Sequence, residues 1–151
     1  MLAKDIMTRE VVTVKAHDRV DEVARLLVDH KISGIPVIDE DRHVIGIVTE
    51  KDLIVKASEL RVPFYVTLFD SIIFLENPIR FKNDLKKYTA VNVEDAMTEK
   101  VIVVEEDTEV SDVVKLMQNK RINRVPVVRQ GQLVGIITRN DVIKSMVKGN
   151  G

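Results

Sequence analysis

The residues with the clearest chemical potential fall in two copies of one seven-residue pattern, GIVTEKD (Gly46 to Asp52) and GIITRND (Gly135 to Asp141). Each copy ends an apolar β-branched run and opens a helical pattern. A threonine followed three residues later by an aspartate is close to a capping box, with Asp in place of Glu or Gln. Such a cap stabilises a helix start by roughly 1 kcal/mol. The same geometry suits a ligand. Free N–H groups at a helix N-terminus favour anionic or polar groups, and a carboxylate there can accept both hydroxyls of a ribose. Thr49 and Thr138 can cap while Asp52 and Asp141 face a cleft, so both readings stand.

A second pair of segments is ISGIPV (Ile32 to Val37) and INRVPV (Ile122 to Val127). Pro36 and Pro126 each remove a ladder donor at a strand start. That leaves backbone free to bond a flat partner such as a base edge. Gly34 and Arg124 occupy equivalent positions. A guanidinium at Arg124 can reach a phosphate bidentately, or it is a solvated surface arginine. Gly34 offers no charge, so two clefts built from these segments should differ.

Other chemistries lack a sequence basis. There is no G-x-x-x-x-G-K-[ST] loop and no G-x-G-x-x-G. His17, His30 and His43 are spaced too widely for a local metal motif, and the serines have no nucleophile-elbow context. Glu105, Glu106 and Asp107 read as a solvated acidic turn. Basic residues are not interleaved with aromatics, which argues against nucleic acid. The expectation is a chain with no catalytic residues and no metal site.

These motifs sit inside a duplication. DIMTREVVTV (Asp5 to Val14) matches DAMTEKVIVV (Asp95 to Val104), and the copies begin 90 positions apart. Val20 to Ile38 then aligns with Val110 to Val128, and Val44 to Ile54 with Leu133 to Ile143. Val11–Val14 and Val101–Val104 read as short strands. Val20, Val23, Ala24 and Leu27 recur at helical spacing, as do Val110, Val113, Val114 and Met117. Asp18 and Thr108 are candidate N-caps. Ile35–Ile38 and Val44–Val48 read as a hairpin, repeated by Val125–Val128 and Leu133–Ile137 around Gly131. Final helices start near Glu50 and Arg139. The unit is β-α-β-β-α, of α/β (α+β) class. A unit of about 50 residues buries too little surface to stand comfortably alone, so the copies should pack on each other about a pseudo-two-fold axis with related clefts between them. The expected division is residues 1–60, an insert over 61–93, and 94–151.

The insert contains the most hydrophobic segment, Val62 to Leu75, broken by Thr67, Asp70 and Ser71. It falls short of the about 20 apolar residues of a membrane span and reads as a helix with Pro63 in its first turn. A second helix is expected after the Asn77 cap and Pro78. The pair either covers the core or forms a dimer surface.

Composition agrees with a folded domain. Hydrophobic residues are 45% and charged residues 31%, which excludes intrinsic disorder. The net charge is -1, so there is no global attraction to nucleic acid or anionic membrane. The absence of cysteine removes disulfides and thiolate chemistry. With no apolar leader visible in MLAKDIMTRE, a cytoplasmic location is expected.

The D-x-M-T opening, the h-x-x-h-P-V segment and the G-h-h-T-x-x-D ending, each present twice in order, resemble tandem cystathionine-β-synthase (CBS) domains, a Bateman module. The resemblance covers nearly the whole chain outside Lys56–Val93. It implies a stand-alone regulatory module, a likeness to homodimers, and adenosine-containing ligands between the repeats. AMP, ADP or ATP is the first expectation, with S-adenosylmethionine or NADH behind it, and no cofactor is required. It further implies that Asp52 and Asp141 hold the ribose diol. Thr49 and Thr138 would contact ribose or phosphate. The backbones of Ser33, Gly34, Ile35 and Pro36, and of Asn123, Val125 and Pro126, would read adenine. Arg124 would meet phosphate, while Thr13 and Ala16, with counterparts Val103 and Glu106, would line a cleft. Glu106 would repel a phosphate. The partner that receives the signal is not written in the sequence. The alternative is a scaffold whose clefts are vestigial.

Overall fold

Val20, Val23 and Leu27 line one face of an 11-residue helix, and Val113 and Met117 do the same in its repeat. Around these faces the computed structural model, which describes residues 1–59, 65–68, 71–74 and 91–149, builds two similar units. The first contains α1 (Ala3–Ile6), α2 (Val20–His30), β1 (Gly34–Ile38), β2 (Val44–Thr49) and α3 (Glu50–Glu59). After β3 (Tyr65–Leu68) and β4 (Ser71–Phe74), the second contains α4 (Val93–Ala96), β5 (Val104–Glu105), α5 (Val110–Lys120), β6 (Arg124–Arg129), β7 (Gln132–Thr138) and α6 (Arg139–Lys148). β1 and β2 form an antiparallel hairpin with Pro36 opposite Ile47. β6 and β7 repeat it with Pro126 opposite Ile136. The alternation along β2 and β7 buries every second residue against the helices, as a half-buried strand requires.

The two cores are not each made from one copy. Ala3 and Met7 are buried with Val104, Val113, Val125, Val127 and Ile137 of the second copy. Val93 is buried with Val14, Val23, Ile35, Val37 and Val48 of the first. Each copy thus sends its D-x-M-T arm onto the other. The backbone bonds are reciprocal: Ala3 N donates to Thr108 O at 2.7 Å and Val93 N to Asp18 O at 2.8 Å. Thr8 and Ile136 exchange bonds across one sheet edge, and Thr98 and Ile47 across the other. Glycine makes this approach possible. A Cβ at Gly135 would stand 2.4 Å from Met7 Sδ, and one at Gly46 would stand 2.5 Å from Met97 Sδ.

The arms also correct two expectations. The first-turn N–H of α2 is satisfied by Val91 O, donated from Val20 N at 3.0 Å, and that of α5 by Met1 O, from Val110 N at 2.9 Å. The cap positions are Arg19 and Glu109, not Asp18 and Thr108. The Asp18 carboxylate instead accepts from Lys15 N at 2.8 Å. The expected strand over Val11–Val14 contracts to a single parallel bridge between Val14 and Val37. Its counterpart is the two-residue β5, parallel to β6.

The helix expected over Val62–Leu75 is overturned. Residues 65–68 and 71–74 are antiparallel strands, with Tyr65 opposite Phe74 and Leu68 opposite Ser71. A short run rich in β-branched and aromatic residues pairs as readily as it coils. The helix expected after Asn77 lies outside the described residues. Among the described residues no helix is long and apolar enough to cross a membrane.

Candidate functional site

At the start of α6 the Thr138 and Asp141 side chains lock together. Asp141 Oδ2 accepts from Thr138 N at 2.8 Å and from Thr138 Oγ1 at 2.9 Å, while Thr138 Oγ1 accepts from Asp141 N at 3.4 Å. Thr49 and Asp52 repeat the arrangement at 2.9, 3.1 and 3.4 Å. The second carboxylate oxygen of each Asp faces the other copy's arm. Thr8 Oγ1 donates to Asp141 Oδ1 at 3.4 Å and Thr98 Oγ1 to Asp52 Oδ1 at 3.2 Å. Capping therefore occupies one oxygen of each carboxylate. The other keeps lone-pair capacity toward a bound hydroxyl.

Among the described residues, cavities of two sizes lie between the copies. The larger, about 1170 Å³, is lined by Thr138, Arg139 and Asp141 of the second copy, Ser33, Gly34 and Pro36 of the first, and Thr8, Glu10, Val11 and Val12 of the first arm. Lys31 and Lys144 stand at its wall with Ala24, Leu27 and Ile54. The smaller, about 360 Å³, is lined by Thr49 and Glu50 of the first copy, Asn123, Arg124 and Pro126 of the second, and Thr98, Lys100, Val101 and Ile102 of the second arm. Each cavity thus combines one copy's capped helix with the other copy's Pro-containing strand.

Arg124 is half-buried, and its Nη2 donates to Ser33 Oγ. It lies over Gly34, where a Cβ would stand 2.7 Å from Nε and Nη1. Burial pushes its pKa below the ordinary arginine value, an effect opposed by the negative charges of Glu50 and Asp52 and reinforced by Arg139. A desolvated guanidinium beside a cavity gains more from an anion than a solvated one does.

Most of the expected site residues come together, with some displaced. Ser33, Asn123 and Arg124 border both cavities, Gly34, Pro36, Thr138 and Asp141 the larger, and Thr49 and Pro126 the smaller. Asp52 lies beside the smaller through its bond to Thr98. The side chains of Ile35 and Val125 are fully buried in the two cores. Thr13 and Ala16 lie outside both linings; from the arms, Val11 and Val12 line the larger cavity and Val101 and Ile102 the smaller. The Ala16 carbonyl accepts from Glu94 N at 3.0 Å and so holds the second arm. Glu106 does not confront a cavity. It forms a bidentate pair with Arg129 at 2.6 and 2.7 Å, which holds its carboxyl below the ordinary range.

Sequence reasoning missed Lys31 and Arg121. They end α2 and α5 at equivalent positions, each with φ near the left-handed value of 53°. Lys31 reaches the larger cavity and Arg121 the smaller. Glycine is the usual residue in that conformation, so nothing in the residue types marked these two basic side chains before the backbone was seen. Thr8 and Thr98 were also present in the D-x-M-T pattern without an assigned role.

The CBS domain family model matches residues 3–59 and 93–148. An uncharacterized protein of Methanocaldococcus jannaschii is 36% identical over 97% of this chain and 92% of its own length. The chloroplastic CBS domain-containing protein CBSX1 of Arabidopsis thaliana is 36% identical over 89% of this chain and 58% of its own. Among solved structures, CBSX2 in complex with AMP superposes with a TM-score of 0.76 at 28% identity, covering 99% of this chain and 98% of that one. The CBS domain pair of protein MJ0100, in complex with 5-methylthioadenosine and S-adenosyl-L-methionine, gives 0.68 at 26% identity, covering 100% and 98%. With both repeats matched and the fold shared, the chain belongs to the CBS-domain family, as a tandem CBS pair.

Proposed function

We propose that this chain is a regulatory module whose inter-repeat cavities bind adenosine-containing ligands, with AMP, ADP or ATP ahead of S-adenosylmethionine and NADH. The observation that carries the reading is the larger cavity. There Asp141, with one oxygen not used in capping, shares a wall with Arg124, Arg139, Lys31 and Lys144. A carboxylate for a ribose diol beside cations for phosphate is the polarity a nucleotide needs, and Val11, Val12, Pro36 and Ile136 offer an apolar slot for a flat base. AMP in CBSX2, and the two adenosine compounds in the MJ0100 pair, support the ligand class.

The reciprocal arm bonds support a pseudo-two-fold arrangement of the repeats. A ligand spanning both copies shifts their packing only through unequal affinity for two arrangements. The output surface is proposed to include α3 and α6. Ile54, Ile143, Met146 and Val147 are 68%, 59%, 60% and 75% exposed there. A second copy of the chain is the proposed occupant, since clustered exposed apolar side chains mark association surfaces. A separate target protein then reads the dimer.

The test is a thermal-shift panel of AMP, ADP, ATP, S-adenosylmethionine, NADH and magnesium on dialysed protein. At 100 times Kd a single-site ligand stabilises by about 2.7 kcal/mol, which for this chain length raises Tm by roughly 5–10 °C. A rise with an adenine nucleotide supports the reading. No rise with any of the six, once co-purified ligand is excluded, overturns it and leaves the scaffold reading.

A further inference from the structure

The partition between the two cavities is built from few groups. Ser33, Glu50, Asn123 and Arg124 line both. At this partition the copies are chemically unequal. The first contributes Gly34 and Glu50 where the second contributes Arg124 and Arg139. One guanidinium therefore serves a wall with cavities on both faces, and its equivalent in the first copy is a glycine. Glu50 and Asp52 act on it through their charges, while its side-chain hydrogen bond goes to a serine. The Ser33 hydroxyl is neutral, and the backbone of Gly34 leaves the room in which the side chain lies. A phosphate is a stronger partner than a hydroxyl, because it adds an opposite charge and can meet the guanidinium bidentately. The donors of the fork lie in one plane and Nη2 is already engaged by Ser33, so the side chain cannot turn a bidentate edge to phosphates on opposite faces of the wall equally well.

We infer that Arg124 is a single anion anchor for which the two cavities compete, so that a phosphorylated ligand in one weakens binding in the other. This rests on the nucleotide-binding reading above. It adds that the two sites are antagonistic and names the group that couples them. The remaining cations are not shared: Lys31, Arg139 and Lys144 border only the larger cavity, and Lys51, Lys100 and Arg121 only the smaller. Each site thus keeps its own attraction for an anion when Arg124 is engaged elsewhere. The outcome is weakened second binding rather than exclusion.

Isothermal titration with AMP tests this. Lys31→Glu with Lys144→Glu reverses exposed charges at the larger cavity, and Lys51→Glu with Lys100→Glu does so at the smaller, which leaves one site to be measured in each variant. In the wild type the product of the two stepwise association constants is expected to fall at least about five-fold below the product of the two single-site constants, the lower end of ordinary coupling. With Arg124→Ala added to all three proteins the ratio returns to one. Gly34→Ala keeps the charge but pushes the guanidinium aside, and also moves the ratio toward one. A wild type that binds a single AMP while Arg124→Ala binds two supports the inference at its strongest limit. A ratio of one in the wild type, or coupling that survives Arg124→Ala, overturns it while nucleotide binding stands. No AMP binding to the wild type overturns the nucleotide reading itself and this inference with it.

Discussion

The exchanged arms and the partition between the cavities are both contacts between the same two repeats, yet they are built differently. In the arms, each backbone bond has its counterpart 90 positions along: Ala3 to Thr108 is matched by Val93 to Asp18, and Val110 to Met1 by Val20 to Val91. Met7 against Gly135 is matched by Met97 against Gly46. At the partition Arg124 faces Gly34, and Glu50 stands where Arg139 stands in the other copy. Backbone bonds and close packing tolerate few side chains, so the arms read alike in both copies. Side chains that face a cavity carry no such constraint, and there the copies have acquired opposite charges. Reciprocity marks what holds the molecule together, and its loss marks where the two cavities are told apart.

The largest effect should come from attacking the arms. Gly46→Ala and Gly135→Ala each place a methyl group within 2.5 Å of a methionine sulfur. Overpacking of this kind typically destabilises by about 1–3 kcal/mol. The two losses should agree closely in urea titrations. Met7→Ala should recover part of the Gly135→Ala loss, as neighbouring substitutions couple. A large loss at one glycine and none at the other would break the reciprocity.

The partition should respond unequally. Removing Arg124 takes away a charge-assisted bond from whichever cavity holds an anion, and such bonds contribute about 1.5–3 kcal/mol. Arg124→Ala is therefore expected to weaken AMP binding by roughly ten-fold or more. Glu50 is the one acid lining the smaller cavity among the described residues, against Lys51, Lys100, Arg121 and Arg124. Glu50→Gln should tighten AMP binding, whereas Arg139→Gln at the equivalent position should loosen it. Shifts of the same sign in a titration series would show the partition to be less asymmetric than its charges.

The hairpins, the two amphipathic helices and the capped helix starts were legible because each is local: a period of two, a stripe at helical spacing, a threonine three residues before an aspartate. The arms were visible as a repeated D-x-M-T pattern, but their exchange was not. A four-residue helix such as Ala3–Ile6 has no periodicity to read, and its partner lies 105 positions away at Thr108. The same exchange explains why Asp18 and Thr108 looked like caps, since the group that meets Val20 N belongs to the other arm. Val62–Leu75 was misassigned because a mixed apolar run satisfies helix and strand alike. At the site, Asp52, Asp141 and Arg124 stood out by residue type, whereas Lys31 and Arg121 were hidden as ordinary surface cations until their backbone conformation was seen.

Those two residues sharpen the comparison further. A non-glycine residue in the left-handed region is strained by roughly 1–2 kcal/mol, and glycine there loses about 0.5–1 kcal/mol through extra freedom in the unfolded chain. Lys31→Gly and Arg121→Gly should therefore raise stability slightly, by about 1 kcal/mol or less, while weakening anion binding in the adjacent cavity. Urea titration and AMP calorimetry on the same proteins check both halves. Gains in stability with unchanged binding would mean that the strain is unrelated to the cavities.

The smallest effect concerns a pair with no counterpart. Glu106 and Arg129 occupy positions held in the first copy by Ala16 and Asp39, so the bidentate contact exists in the second copy alone. Its hydrogen bonds favour the ionised form and hold the Glu106 carboxyl below its ordinary value of 4.5. A carboxyl whose pKa is lowered by folding contributes stability above the unfolded value, and that contribution fades as the pH falls through the lowered one. The wild type should therefore melt slightly above Glu106→Gln near neutral pH, with the difference closing as the pH drops below about 4. The pair is at the surface, so added salt should also narrow the difference. Because the Glu106 carbonyl, not its carboxylate, accepts from Lys4 N at 3.0 Å, the arm should stay docked in the variant. A difference that persisted in acid would place the cost of the substitution in the arm contact rather than in the ion pair. Side-chain identity at position 106 would then belong to the reciprocal part of the molecule after all.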